Sequence, residues 1–146
     1  MVYPDNKAIQ NELDSLCKMT DSDFSGLAWM DPDDSRIRWP YASGNSNERF
    51  KRLALKPGRG LAGLVLKLGR PVLIDRNMSD SERMRLHHDY SIMMVEDLHS
   101  AIAVPLKLQD EIHGVLLIGN RSERYYEDND MRLISSAIER FERLLQ

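Results

Sequence analysis

Near the middle of the chain, Gly58-Arg59-Gly60-Leu61-Ala62-Gly63 places three glycines at the entrance to a short apolar run. A glycine turn of this kind leaves backbone N–H groups at a helix start without intrahelical acceptors. With the helix dipole behind them, such donors form an anion site if the chain folds a cavity over them. The same glycines can equally serve only to permit positive φ and a tight helix entry. Tyr90-Ser91-Ile92 opens a second short apolar stretch, so donors could converge from two starts. Each dipole contact contributes only about 0.3 to 1 kcal/mol, so neither start alone would hold an ion tightly in water.

Other chemistry is poorly provided for. Cys17 is the only cysteine, so a disulfide or thiolate cluster within one chain is excluded and thiol redox chemistry lacks a resolving partner. His87 and His88 diverge on a helix and have no carboxylate or histidine at i+4. His99 and His113 fall in different strands and could approach each other, but two histidines do not define a zinc site, and no metal is expected. No Gly-x-Ser-x-Gly elbow occurs. No catalytic residue and no enzyme activity are expected.

The elements that must position these residues follow from periodicity. Ile9, Leu13 and Leu16 mark an amphipathic helix from about Pro4 to Met19, with Asp5 available as a cap. Phe24 to Asp31 and Ser35 to Ser43 read as a hairpin around Asp31-Pro32-Asp33-Asp34. After the glycine turn, an apolar helix stops at Gly69-Arg70-Pro71, and Val72-Leu73-Ile74 form a short strand. Ser79-Asp80-Ser81-Glu82 fits a capping box for a helix carrying Met84 and Leu86, and Tyr90 to Val95 is read as a further short helix. His99 to Leu108 and Glu111 to Asn120 form a second hairpin, expected at the sheet's centre. Asp128, as cap, precedes the clearest helix, with Met131, Ile134, Ala137, Ile138, Phe141, Leu144 and Leu145 on one face. This order argues for an α+β architecture, a central antiparallel sheet with helices packed on it and the terminal helices on one face.

The frame is modest. A chain of 146 residues, 42% hydrophobic and 29% charged, fits one domain over 1–146. Its net charge of −3, with both signs interspersed, offers no basic stripe for nucleic acid or an anionic membrane surface. Met1 to Gln10 has no apolar signal core, and no apolar run approaches the roughly 20 residues of a spanning helix, so a cytoplasmic location is expected.

The chain resembles a GAF domain, a sensory fold of bacterial signalling. The resemblance rests on Gly58-Arg59-Gly60-Leu61-Ala62-Gly63, Gly69-Arg70-Pro71-Val72, Ser100-Ala101-Ile102-Ala103-Val104-Pro105-Leu106 and Gly114-Val115-Leu116-Leu117-Ile118, in that order. Trp39 ahead of Gly60-Leu61-Ala62, with Tyr90-Ser91-Ile92 opening a second short helix, resembles the stand-alone nitrate-receptor GAF proteins. That resemblance implies a site built from Trp39, Phe50, Gly60, Leu61, Ala62, Gly63, Tyr90, Ser91 and Ile92. It also implies nitrate or a similar small anion as ligand, no cofactor, and a partner sensor histidine kinase. Where the subgroup's pattern readily takes a proline after the tyrosine, this chain has Ser91, which adds a hydroxyl and one more amide donor.

The physics is compatible with that implication. Nitrate is planar, singly charged and weakly hydrated, so several oriented amides can satisfy it without a buried cation. Micromolar to millimolar binding, roughly 4 to 8 kcal/mol, is the corresponding expectation. Trp39 either stacks on such a guest or fills the core, and Tyr90 either donates inward or sits at the rim. Two alternatives stay open. One is another small metabolite, an amino acid or a cyclic nucleotide; for the nucleotide, Asn120-Arg121 and Tyr126 ahead of Asp130-Met131 give a degraded echo of the family signature. The other is a ligand-free interaction module, with the terminal helices forming a homodimer and Ile138, Phe141 and Leu145 lying at the interface rather than in the core.

Overall fold

Strand alternation accounts for the architecture. In β6 (Glu111–Asn120), Val115 and Leu117 point to one face of the sheet, while Leu116 and Ile118 point to the other. In β5 (Ser100–Leu108), Ala101 and Ala103 oppose Ile102 and Val104 in the same way. Both faces are therefore apolar, and both must be covered, which is why the strands read as near-continuous hydrophobic runs.

A computed structural model describes residues 6–145 of the chain. It contains a six-stranded antiparallel sheet in the order β3-β2-β1-β6-β5-β4 with five helices around it. The remaining strands are β1 (Phe24–Met30), β2 (Ile37–Ser43), β3 (Ala54–Leu55) and β4 (Val72–Ile74). The terminal helices α1 (Asn6–Met19) and α5 (Asp128–Leu145) cover one face through Ile9, Leu13, Leu16, Ile134, Ala137 and Phe141. The other face carries α2 (Gly60–Leu68), the long connection around it, and α4 (Ser91–Val95), packed over Phe24, Ala28, Trp39 and Leu117. Helix α3 (Asp80–Asp89) leads into α4. The α+β arrangement with both terminal helices on one face is as expected.

Four details differ from the sequence reading. The β5–β6 hairpin is not the sheet's centre; β1 and β6 are the middle pair, with Phe24 to Trp29 in register with Gly119 to Gly114. The segment leading into the glycine turn contributes a strand that was not expected, β3, which pairs Ala54 and Leu55 with Arg38 and Ile37. Asp128 does not cap α5: it lies inside the first turn, and Asp130 Oδ2 accepts from the Glu127 N–H at 2.8 Å. Phe141 belongs to the core, fully buried, with Ile138 and Leu145 packed partly exposed against it. The Ser79 cap is as read, its Oγ accepting from the Glu82 N–H at 3.2 Å. Pro4 and the Asp5 cap lie outside the described residues. Among the described residues no helix is long and apolar enough to cross a membrane.

Candidate functional site

Two helix starts without side-chain caps face one groove. Helix α2 begins at Gly60, φ +71°, after Arg59 in an extended conformation, and the Arg59 side chain does not cap it. Helix α4 begins after Tyr90, also extended and also without a capping side chain. The Ser79-capped start of α3 shows the contrast. In each uncapped turn the first backbone N–H groups have no acceptor within their own helix. The groove between them has a volume of about 740 Å³ and is lined by Arg36, Leu55, Lys56, Gly58, Arg59, Gly60, Leu64, Asp89, Tyr90 and Ser91, with Ala54.

The glycines have separate reasons to be there. Gly58 adopts φ +82° with open space around it, so only its backbone shape matters. At Gly63 a side-chain carbon would come within 2.9 Å of the Gly58 carbonyl carbon, so the turn folds back directly on the helix. At Gly60 it would meet Leu55 Cδ1 at 2.6 Å. The helix ends as the sequence predicts, Gly69 in the left-handed region at φ +69° with its N–H on the Val65 carbonyl at 2.8 Å.

The residues expected at the site divide into those that line the groove and those that do not. Gly60, Tyr90 and Ser91 line the groove. Trp39, Phe50, Leu61, Ala62 and Ile92 do not line it; they are buried in one apolar cluster, where Trp39 is only 2% exposed. Gly63 is buried in α2 and does not line this groove; it faces a separate one with Pro57, Gly58 and Leu66. Trp39 packs against Gly26 of β1, where a side-chain carbon would be 3.1 Å from its Cε3. Phe50 comes inward from a 3-10 turn at Arg49–Arg52. Tyr90 is half-buried, and that burial pushes its phenol pKa up, so it stays a neutral donor in ordinary buffer.

The sequence reading did not anticipate the groove's charge. Arg36, Lys56 and Arg59 line it against the single acid Asp89, so it attracts anions. Arg59 itself is exposed. The groove's cations come from the turn before β2 and the turn after β3, and no spacing rule in the sequence joins them. Below the groove, the far end of α4 is held: Glu96 Oε1 accepts from the Ser46 N–H at 2.8 Å and from Arg121 Nη2 at 2.6 Å. His99 does not approach His113, which stacks on Trp29; it stacks instead on His87, ring centroids 4.3 Å apart.

Arg121 and its neighbours are fully engaged inside the protein. Arg121 also donates to the Glu96 and Gly44 carbonyls, and Asn120 Oδ1 accepts from Tyr126 at 3.1 Å and from Arg124 at 3.0 Å. Cys17, partly buried, has its thiol pKa raised by burial, which lowers its thiolate fraction and its nucleophilicity at neutral pH.

Comparison with known proteins gives a consistent result. A Staphylococcus aureus NreA protein, mutated in its nitrate binding site, is 36% identical and superposes with a TM-score of 0.73 over 84% of this chain and 89% of that one. The HTH-type transcriptional activator RamA of Corynebacterium glutamicum is 32% identical over 123 residues, 83% of this chain and 42% of RamA. The chain thus spans less than half the length of the curated relatives it matches. A free methionine-R-sulfoxide reductase of Neisseria meningitidis, in complex with its substrate, shares the fold at a TM-score of 0.70 and 18% identity, over 92% of this chain and 73% of that one. The GAF domain family model matches residues 7–145, and with that match across the whole described sheet and its helices, the chain belongs to the GAF domain family.

Proposed function

We propose that this GAF domain binds nitrate, or an anion of similar size and charge, and passes its occupancy to a partner sensor histidine kinase in the cytoplasm. The observation that carries the reading is the pair of uncapped helix starts, at Gly60 and Ser91, that open on one groove lined by three cations and one acid. The 36% identity to an NreA protein with a nitrate binding site supports the choice of guest. In this reading the amides of Gly60 to Ala62 and of Ser91 and Ile92 solvate the ion. Trp39, Phe50, Leu61, Ala62, Gly63 and Ile92 supply the buried apolar surroundings that exclude water and strengthen those bonds. Arg36, Lys56 and Arg59 raise the local anion concentration and the association rate.

No covalent chemistry is assigned. Cys17 lies in α1, across the sheet from the groove, with a thiol that burial holds protonated. The cyclic-nucleotide alternative is weakened by Asn120, Arg121 and Tyr126, which are engaged in internal hydrogen bonds. A groove of about 740 Å³ is roomy for nitrate, and this favours a small amino acid as the second reading.

Signalling requires that the partner distinguish the occupied form from the empty one, since a ligand that binds both states equally shifts nothing. The test is a thermal-shift series with nitrate, nitrite, chloride, sulfate, cyclic nucleotides and amino acids. Nitrate at about 100 times its dissociation constant adds roughly 2.7 kcal/mol to stability. A selective response to amino acids or cyclic nucleotides reassigns the groove, and no response to any of them leaves an interaction module.

A further inference from the structure

His87, Asp97 and His99 converge although the sequence places them on separate pieces of backbone. His87 stands on the last turn of α3, while Asp97 and His99 belong to the connection from α4 to β5. Two features fix that connection: Asp97 takes a left-handed conformation, φ +53°, and the His99 N–H donates to the Asn120 carbonyl at 2.9 Å.

The hydrogen bonding determines which ring atoms are available. His87 Nδ1 lies 2.9 Å from the Leu98 carbonyl oxygen, which can only accept, so Nδ1 carries a proton. In the neutral ring Nε2 then presents a lone pair, and it faces Asp97 Oδ1 at 3.3 Å. His99 Nε2 stands 3.1 Å from the same oxygen. A neutral His87 ring thus sets a lone pair against a carboxylate oxygen, an arrangement that a bound cation relieves.

We propose that His87 Nε2, Asp97 Oδ1 and His99 Nε2 form a binding site for a divalent transition-metal ion, with zinc as the representative. The three candidate ligand atoms all lie within 4.8 Å of one another. Around an ion with bonds of about 2.0 to 2.1 Å, tetrahedral ligand atoms stand about 3.3 Å apart, which matches the two spacings to Asp97. A ring nitrogen bonded to a backbone carbonyl is the usual outer support of a metal-ligating histidine, and Leu98 supplies it. Two imidazoles and a carboxylate suit zinc and its neighbours rather than magnesium or calcium. The rings are stacked with 21° between their planes, so ion entry fans them apart. His99 is about one-third exposed (36%), which leaves it room to turn, and the exposed Asp97 leaves the fourth position to water. The cluster shares no residue with the groove.

The test is zinc titration of the untagged, chelator-treated full chain, followed by calorimetry and by the visible absorption of the cobalt-substituted protein. One ion per chain is expected. Affinity should fall at least tenfold in His99→Ala and in Asp97→Asn and stay unchanged in His88→Ala and His113→Ala. Asn tolerates the left-handed backbone at 97, and far-UV circular dichroism checks both folds. No binding by the wild-type chain, equal affinity in either ligand variant, or loss of binding in His88→Ala overturns the proposal.

Discussion

Glu96 and Arg121 form an ion pair at 2.6 Å in which the carboxylate is wholly buried, and through it the end of α4 is tied to the exit of β6. The carboxylate's other oxygen, Oε2, has no hydrogen-bond partner among the described residues. Removing one partner of a buried pair strands the other charge, at about 3 to 5 kcal/mol. Arg121→Ala is therefore expected to lose stability on that scale in urea unfolding. Arg121→Met combined with Glu96→Gln should lose distinctly less, because no charge is then left buried alone. Equal losses would mean that Arg121 acts by packing rather than by charge.

The glycine turn separates two physical effects that a single motif conceals. Gly58→Ala meets nothing within 4 Å and suffers only the left-handed backbone, at about 1 to 2 kcal/mol. Gly63→Ala keeps a helical backbone but drives a methyl against the Gly58 main chain at 2.9 Å, where no side chain can yield. The expected order of midpoints in chemical unfolding is wild type, Gly58→Ala, then Gly63→Ala. The reverse order would show that the turn itself moves aside.

Most of the fold was legible because it depends on local rules. The β-rich strand segments, the Ser79 cap, the Gly69 stop and the terminal helices all follow from residue types and spacing within a dozen residues. The sheet's middle pair was not legible, since Phe24 meets Gly119 across 94 intervening positions and nothing local encodes that register. The site was half legible. Gly60 and Ser91 show themselves by turn chemistry, whereas Arg36 and Lys56 reach the groove only because β3 lies beside β2. His87 and His99 were paired with the wrong neighbours for the same reason: only the turn after α4 brings His99 back to α3.

Tyr126 makes stability depend on pH at the alkaline end. Burial is the main reason that its phenol is pushed up to about 12, against 10 for the free side chain. The folded state therefore holds this proton more tightly than the unfolded one. The associated stability is fully present below pH 10 and is lost as pH rises from about 10 through 12, by an amount on the order of 2 to 3 kcal/mol. In Tyr126→Phe that part of the alkaline decline should vanish, although the lost bond to Asn120 lowers stability at neutral pH by about 1 kcal/mol. An unchanged alkaline limb in the variant would assign the decline to other groups.

Ser91 permits a test of the amide donors without disturbing the helices. It is the first residue of α4, where proline's missing N–H removes no intrahelical bond and its fixed φ suits the start. The residue before a proline must be extended, and Tyr90 already is, at φ −94° and ψ 110°. Ser91→Pro should therefore fold at least as well as the parent, with a gain of up to about 1 kcal/mol from the restricted unfolded chain. If the Ser91 amide solvates the anion, the same substitution weakens nitrate binding several-fold, since one donor of about 1 kcal/mol is gone. Ser91→Ala, which keeps the amide and loses only the hydroxyl, should retain most of the affinity. Calorimetric titration of the three proteins with nitrate decides the matter: full affinity in Ser91→Pro would remove this amide from the site, and loss in Ser91→Ala alone would transfer its role to the hydroxyl.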